Sequence, residues 1–213
     1  MIKTIAHLAD IHIRKLHRFV EYRQVFKKLY KQLKELKPDV IYIGGDVVHG
    51  KLDTSPEEVR MVANFFLELC KIAPTIIIPG NHDCNLNNKS REDTLSPIVD
   101  LVQKITPNLH YWKKTGVYTM DNVDFAHLSI FDIDKEGKQR TDSMPCPHEA
   151  CDEHQDKIAL FHGGVDKHFY DNGFQVQDDR VTNDTFDGYD MVLLGDIHKR
   201  QFLNEEETIA YPG

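Results

Sequence analysis

Five times along this chain an apolar run of strand length stops abruptly, and each time the next residues are carboxylates, imidazoles or amides. The sharpest case is Ile76-Ile77-Ile78-Pro79-Gly80-Asn81-His82-Asp83, where β-branched residues give way at Pro-Gly to three polar groups in succession. Residues 4–9 run into Asp10-Ile11-His12, 40–43 into Gly44-Gly45-Asp46, 157–161 into His162-Gly163-Gly164, and 191–194 into Gly195-Asp196-Ile197-His198. Continuous apolar runs of this length fit strands buried on both faces. Open α/β sheets carry their sites at the carboxyl ends of such strands. The expectation is an α/β fold, with partly parallel sheets flanked by helices and the five polar tips gathered on one sheet edge.

The intervening segments read as helices. Tyr22, Phe26, Leu29, Leu33 and Leu36 recur at helical spacing until Pro38 ends the pattern. Ser55-Pro56-Glu57-Glu58 is a helix start, with Ser as N-cap and Pro at the first helical position. Val59, Val62, Ala63, Phe66 and Cys70 are its expected buried stripe. A further helix is expected over 94–105, and a hairpin over 117–128 turning at Asp121-Asn122. Residues 132–156 are polar and rich in turn formers, as in an irregular surface insertion. Within them Cys146, His148, Cys151 and His154 crowd together; an unliganded loop is expected over a structural zinc, because the spacing matches no common finger.

The 213 residues, 40% of them hydrophobic, suffice for one large core, so a single domain is expected over 1–213. No run approaches a membrane span, and Met1-Ile2-Lys3-Thr4-Ile5-Ala6 leads into a strand rather than a signal peptide. The chain reads as soluble and intracellular, in cytoplasm or nucleus. Four irregularly spaced cysteines argue against a disulfide framework. A net charge of -8 argues against a surface that grips nucleic acid all round. The distribution is uneven, however: residues 1–37 hold ten Lys or Arg against Asp10, Glu21 and Glu35. Lys27, Lys28, Lys31 and Lys34 among them read as the solvated side of a helix.

Asp10, His12, Asp46, Asn81, His162, Asp196 and His198 are oxygen and imidazole donors without a thiolate, a set suited to Mn²⁺, Fe²⁺, Zn²⁺ or Mg²⁺. Seven donors exceed the needs of one four-coordinate ion. Two ions sharing a carboxylate form an economical device for activating water against phosphorus. Taken singly, each residue is better read as a cap, a turn residue or a satisfied core histidine. Taken together, they are not.

In order, Asp10-x-His12, Gly45-Asp46-x-x-His49, Gly80-Asn81-His82-Asp83, His162 and Gly195-x-Ile197-His198 resemble the calcineurin-like metallophosphoesterase superfamily. The absence of Asp-Arg-Gly after Gly45-Asp46 sets the chain apart from serine/threonine protein phosphatases. His49, the long first helix and the closing Tyr211-Pro212-Gly213 are similar to SbcD-type double-strand-break repair nucleases, whose chains run on past such a turn, so a fragment of a longer protein is expected. The resemblance implies one metal on Asp10, His12, Asp46 and His198 and another on Asp46, Asn81, His162 and Asp196, with Asp46 bridging and Mn²⁺ the foremost candidate. It implies that His82 faces the scissile phosphate and that His49 orients it. Asp83 is expected to fix the turn or a supporting histidine. Arg14, Lys15 and Arg18, next to the first motif, are candidate phosphate contacts.

Asp196 departs from the SbcD-type pattern, which has histidine there. The oxygen donor lowers the positive charge of the site and tilts it toward Mn²⁺ or Mg²⁺. The implied activity is a DNA exonuclease or endonuclease in repair or recombination. The implied partners are DNA, an SMC-like ATPase of the SbcC type and a second copy of the chain, with no membrane. The rivals are a phosphatase or phosphodiesterase on nucleotides or small molecules, and a catalytically weak scaffold for the ATPase. His7, His17, His110, His127 and His168 are read as ordinary histidines, and Trp112 as core rather than a base-stacking residue.

Overall fold

A computed structural model of the chain describes residues 1–14, 16–50, 54–88, 90–177 and 180–213. Four parallel strands, β1 (Ile5–Leu8), β2 (Val40–Ile43), β3 (Thr75–Ile77) and β4 (Leu109–Tyr111), form one sheet in that order. The connections are α1 (Phe19–Leu36), α2 (Pro56–Cys70) and α3 (Ser96–Gln103). Their apolar sides share one core with the sheet, so all three cover the same face.

Local chemistry sets the helix ends. Ser55 Oγ accepts from the Glu58 amide at 3.2 Å, satisfying one donor of the first turn of α2. At the end of α1, Lys37 takes a left-handed φ of 52° and its amide returns to Leu33 O. The buried stripe of α2 is rotated from the expected one. Met61, Phe65 and Leu69 are buried with Val62, Phe66 and Cys70, while Val59 is exposed. This helix is apolar over so much of its circumference that spacing alone does not choose the face; the Phe65 ring, stacked 4.4 Å from Phe26 of α1, does.

A second sheet has the order β5-β6-β7-β8-β10-β9. Its strands are β5 (Gly116–Met120), β6 (Val123–Leu128), β7 (Asp156–His162), β8 (Met191–Gly195), β9 (Gln201–Phe202) and β10 (Ile209–Tyr211). The β5–β6 hairpin and the β9–β10 pair are antiparallel, and the three central pairings are parallel. The expected mixed, partly parallel α/β architecture is therefore present, but the five tips do not share one sheet edge. Three belong to the first sheet and two to the second.

The two sheets pack face to face. Along β2, Val40 and Tyr42 point into the inter-sheet core while Ile41 and Ile43 point to the helices. Phe125, Ile158, Leu160 and Leu193 answer from the second sheet, and Trp112, stacked 4.6 Å from Tyr118, seals the layer as a core residue. The far face of the second sheet is covered by loop residues including Val165, Val176 and Phe186. The 132–156 stretch holds a short helix, α4 (Pro147–Ala150). No helix among the described residues is long and apolar enough to cross a membrane.

Candidate metal centre

All five tips open on the same side, where the carboxyl ends of the two sheets meet. Beyond β1 and β2 the backbones stay paired, with the His12 amide on Asp46 O at 2.9 Å and the His49 amide on Ile13 O at 3.1 Å. The pairing brings Asp10, His12, Asp46 and His49 together. Asp10 (φ 55°), His12 (47°), Asp46 (55°) and Asp196 (96°) have left-handed backbones. Such conformations cost about 1 kcal/mol or more each and persist only where surroundings impose them. Here Tyr22 Oη donates to His12 O at 2.6 Å, and the Asp10 amide donates to Gly45 O at 3.1 Å.

Glycine is required where the tips touch. A Cβ on Gly80 would strike the Asp46 carboxylate and amide, and one on Gly195 would strike the Gly44 carbonyl. These contacts are what let β2, β3 and β8 converge on one point from two sheets.

At the centre lies Asp46, almost wholly buried. Its Oδ2 is 3.5 Å from His12 Nε2, and its Oδ1 is 3.4 Å from His162 Nε2 and accepts from the His82 amide at 2.7 Å. On one side His12 Nε2 and His198 Nε2 are 3.1 Å apart, and Asp10 Oδ1 lies 3.9 Å from His198 Nε2. On the other side His162 Nε2 faces Asp196 Oδ1 at 3.8 Å, and Asn81 Nδ2 donates to that same oxygen at 3.3 Å. Asp196 thus points its carboxylate into the donor set, and its own amide donates to both oxygens of Asp10 at 3.1 Å. Asp10, Asp46 and His162, and likewise Asp10, His12 and His198, offer ligand atoms within 4.8 Å of one another.

The residues fit divalent cations on an independent ground. Asn81 Oδ1 and His162 Nε2 are buried polar atoms without a hydrogen-bond partner, an arrangement that costs free energy unless something fills it. His162 Nδ1 donates to Gly44 O at 2.6 Å, which orients Nε2 toward Asp46 in the way a backbone carbonyl usually orients a ligating imidazole.

The electrostatics are those of crowded carboxylates. Burial opposes a charge on His162, but Asp46, Asp196 and Asp10 overcome it and lift the imidazole to about 10. Burial raises Asp10 to about 6, with Asp46 adding to the rise and His162 opposing it. Burial also tends to raise Asp46, yet the nearby charge of the His162 ring, 3.4 Å away, holds it below the usual carboxylate value. His12 is lowered to about 4, chiefly by burial.

Above this centre is an open cleft of about 440 Å³, lined in part by Arg14, Arg18, Tyr22, His49 and His82. His82 Nδ1 is 2.9 Å from the His49 carbonyl, and the two rings stack at 4.9 Å. Arg14 Nη1 donates to His49 Nε2 at 3.2 Å, and Arg18 is paired with Glu21 at 2.9 Å. Lys15 lies outside the described residues.

Asp83 does more than fix its own turn. Fully buried, it accepts from the amides of Gly80, Asp46 and Val48 at 2.8–3.0 Å, tying the third tip to the second. It touches no supporting histidine through these bonds, and burial lifts it to about 7, with Asp46 contributing. Its place beside Asn81 and His82 was the only sequence signal of this role. Tyr22 gave none, since it reads as one member of a helical stripe. Cys146, His148, Cys151 and His154 are in none of the three clusters of potential ligands found among the described residues. The third cluster is His12, His49 and His82.

Comparison with known proteins gives the chain a family. The profile of the calcineurin-like phosphoesterases matches residues 3–200. Over 220 aligned residues the chain is 43% identical to an uncharacterized protein of Acanthamoeba polyphaga mimivirus, all of this chain matching 16% of that protein. It is 24% identical over 212 residues to the DNA double-strand break repair protein Mre11 of Nanoarchaeum equitans, with 93% of this chain matching 57% of that one. The crystal structure of Pseudomonas putida nuclease MPE aligns at 17% identity with a TM-score of 0.38, over 79% of this chain and 64% of that chain. The chain thus spans less than two thirds of the length of each of these proteins.

Proposed function

The chain belongs to the calcineurin-like phosphoesterase family, hydrolases of phosphoesters that typically use divalent metals, and from that premise we propose that it is a two-metal phosphodiesterase acting on DNA, an exonuclease or endonuclease of the SbcD type. The observation that carries the two-metal reading is the Asp46 carboxylate, which turns one oxygen toward His12 at 3.5 Å and the other toward His162 at 3.4 Å. A carboxylate facing two donor sets, one oxygen to each, is the group that two cations can share.

Asp10, His12, Asp46 and His198 would hold one ion, and Asp46, Asn81, His162 and Asp196 the other. Bound there, the pair would acidify water and neutralise phosphate charge. Three carboxylates on these positions favour hard ions, and Mn²⁺ is the reading we prefer over Mg²⁺, Fe²⁺ or Zn²⁺.

The remaining groups act on the substrate. His82 is fixed through Nδ1 on the His49 carbonyl, which leaves Nε2 to hold a proton and pass it to the leaving oxygen. His49 and Arg14 form a hydrogen-bonded pair at the cleft wall, suited to a phosphate oxygen. Arg14 and Arg18, with Lys15, would position the backbone without reading sequence. The similarity to a DNA double-strand break repair protein supports DNA as the substrate; an SMC-like ATPase partner and self-association rest on the SbcD-type resemblance of the sequence alone, and co-purification and solution mass test them.

The test sets a labelled DNA duplex beside a chromogenic phosphodiester, both with Mn²⁺. Duplex cleavage lost in His82→Ala and with chelator is the expected result. Hydrolysis of the small ester alone would move the assignment to nucleotides or small molecules. If neither is cleaved and His82→Ala behaves as wild type, this site is not a phosphodiesterase.

A further inference from the structure

Just beyond the His162 tip the second sheet extends a hairpin finger. From Gly163-Gly164 the chain enters residues 165–176 and doubles back, with the Lys167 amide on Val176 O at 3.1 Å, the Val176 amide on His168 O at 2.7 Å and the Tyr170 amide on Phe174 O at 2.9 Å. The turn is Asp171-Asn172-Gly173, where Gly173 takes φ 84° and Asn172 Oδ1 accepts from the Phe174 amide at 3.0 Å. The finger exposes aromatic residues: Phe169 is 43% and Phe174 73% accessible, and Tyr170 is also exposed. Apolar groups gathered in water on a protein surface mark a contact site.

Three features say what kind. The finger is pinned at Phe169, where the Gln201 side chain accepts from the amide at 3.4 Å and donates to the carbonyl at 2.7 Å. Cations stand beside its aromatic rings: Lys199 Nζ lies 5.5 Å from the Phe169 ring centroid, and Lys167 and Arg200 are exposed, against Asp166 and Asp171 within the finger. It is continuous with the metal centre, rising from His162 on one side and anchored on the other by Gln201, three residues past His198. Aromatic faces on a fixed backbone with cations beside them are the combination that holds unpaired nucleic-acid strands.

We propose that this finger is a stacking platform for the unpaired bases of a nucleic-acid strand whose backbone lies in the cleft, a proposal that rests on the nuclease reading above. Every base has a π face, so the platform accepts any sequence but requires bases out of the duplex stack. The preferred substrate is therefore a single-stranded or frayed end.

Fluorescence anisotropy with Ca²⁺ in place of Mn²⁺ tests this, using a labelled single-stranded oligonucleotide and an abasic strand of equal length. Wild type should bind the normal strand more tightly. The double variant Phe169→Ala/Phe174→Ala should lose about tenfold or more of that affinity, with abasic binding, metal content and thermal unfolding unchanged, since both rings are exposed. Equal binding of the two strands by wild type, or unchanged binding by the variant, would overturn the platform and leave the nuclease reading intact. Loss of self-association in the variant with strand binding intact would overturn it in favour of a contact between copies. Failure of wild type to bind either strand would overturn both readings.

Discussion

Loading the site with metal should expel a proton, and the pH dependence of binding should reveal it. His162 is 2% exposed, and three carboxylates hold its proton against the penalty of burial, raising it to about 10. A divalent cation binds only the neutral imidazole. At pH 7 the cation therefore displaces a proton held about three pH units above ambient, an opposing cost of about 4 kcal/mol, or about a thousandfold in apparent affinity. The sign follows directly: the ring stays protonated below its raised value, so apparent affinity for Mn²⁺ rises with pH, about tenfold per unit between pH 7 and 9. Below about 6 Asp10 also gains a proton, and the dependence steepens. Titration calorimetry in two buffers of unlike ionisation enthalpy at pH 7.5 should give about one proton released per chain. Affinity flat across that range, with no proton released, would refute the placement of His162 Nε2 as a metal donor.

Asp83→Ala should destabilise the fold by roughly 3–6 kcal/mol in chemical denaturation, because three buried amides lose a shared acceptor, and it should weaken metal binding by releasing the Asp46 tip. His127 is wholly buried and, chiefly through that burial, is lowered to about 3, against the hydrogen bond to Lys114 O that favours its charge. The unfolded chain therefore binds the extra proton first, and stability falls as pH drops from about 6.5 toward 3. The loss is of the order of 2 kcal/mol by pH 5, and His127→Gln should remove that slope in urea titrations compared at pH 7 and 5. Asp196→His should preserve or raise affinity for the second ion, read by calorimetry; unchanged metal content with a large fall in activity would assign the carboxylate a separate role.

Much of this was legible because its signals are local. Val40–Ile43 reads as a buried strand from its side chains alone and is one. The Ser55 cap is written in the four consecutive residues Ser55-Pro56-Glu57-Glu58. The donors announced themselves by following apolar runs. What escaped depends on partners distant in sequence. Strands β4, β9 and β10 are two or three residues long and exist only through pairing with neighbours already in place. The division of the tips between two sheets follows from which faces pack, as Val40 and Tyr42 meet Phe125 and Leu160, and no spacing encodes that. Tyr22 shows the same limit within one residue: its ring belongs to a helical stripe, while its hydroxyl fixes the carbonyl of His12.

The convergence of two sheets on Asp46 also bears on how the protein is made. Asp10, His12, Asp46 and Asn81 come from the first sheet, and His162, Asp196 and His198 from the second. During synthesis the earlier half emerges without the donors that would complete either cation site. On the two-metal reading neither cation site would be complete until the second sheet had docked, and a chain divided within 132–140 would leave neither half with a full set of donors.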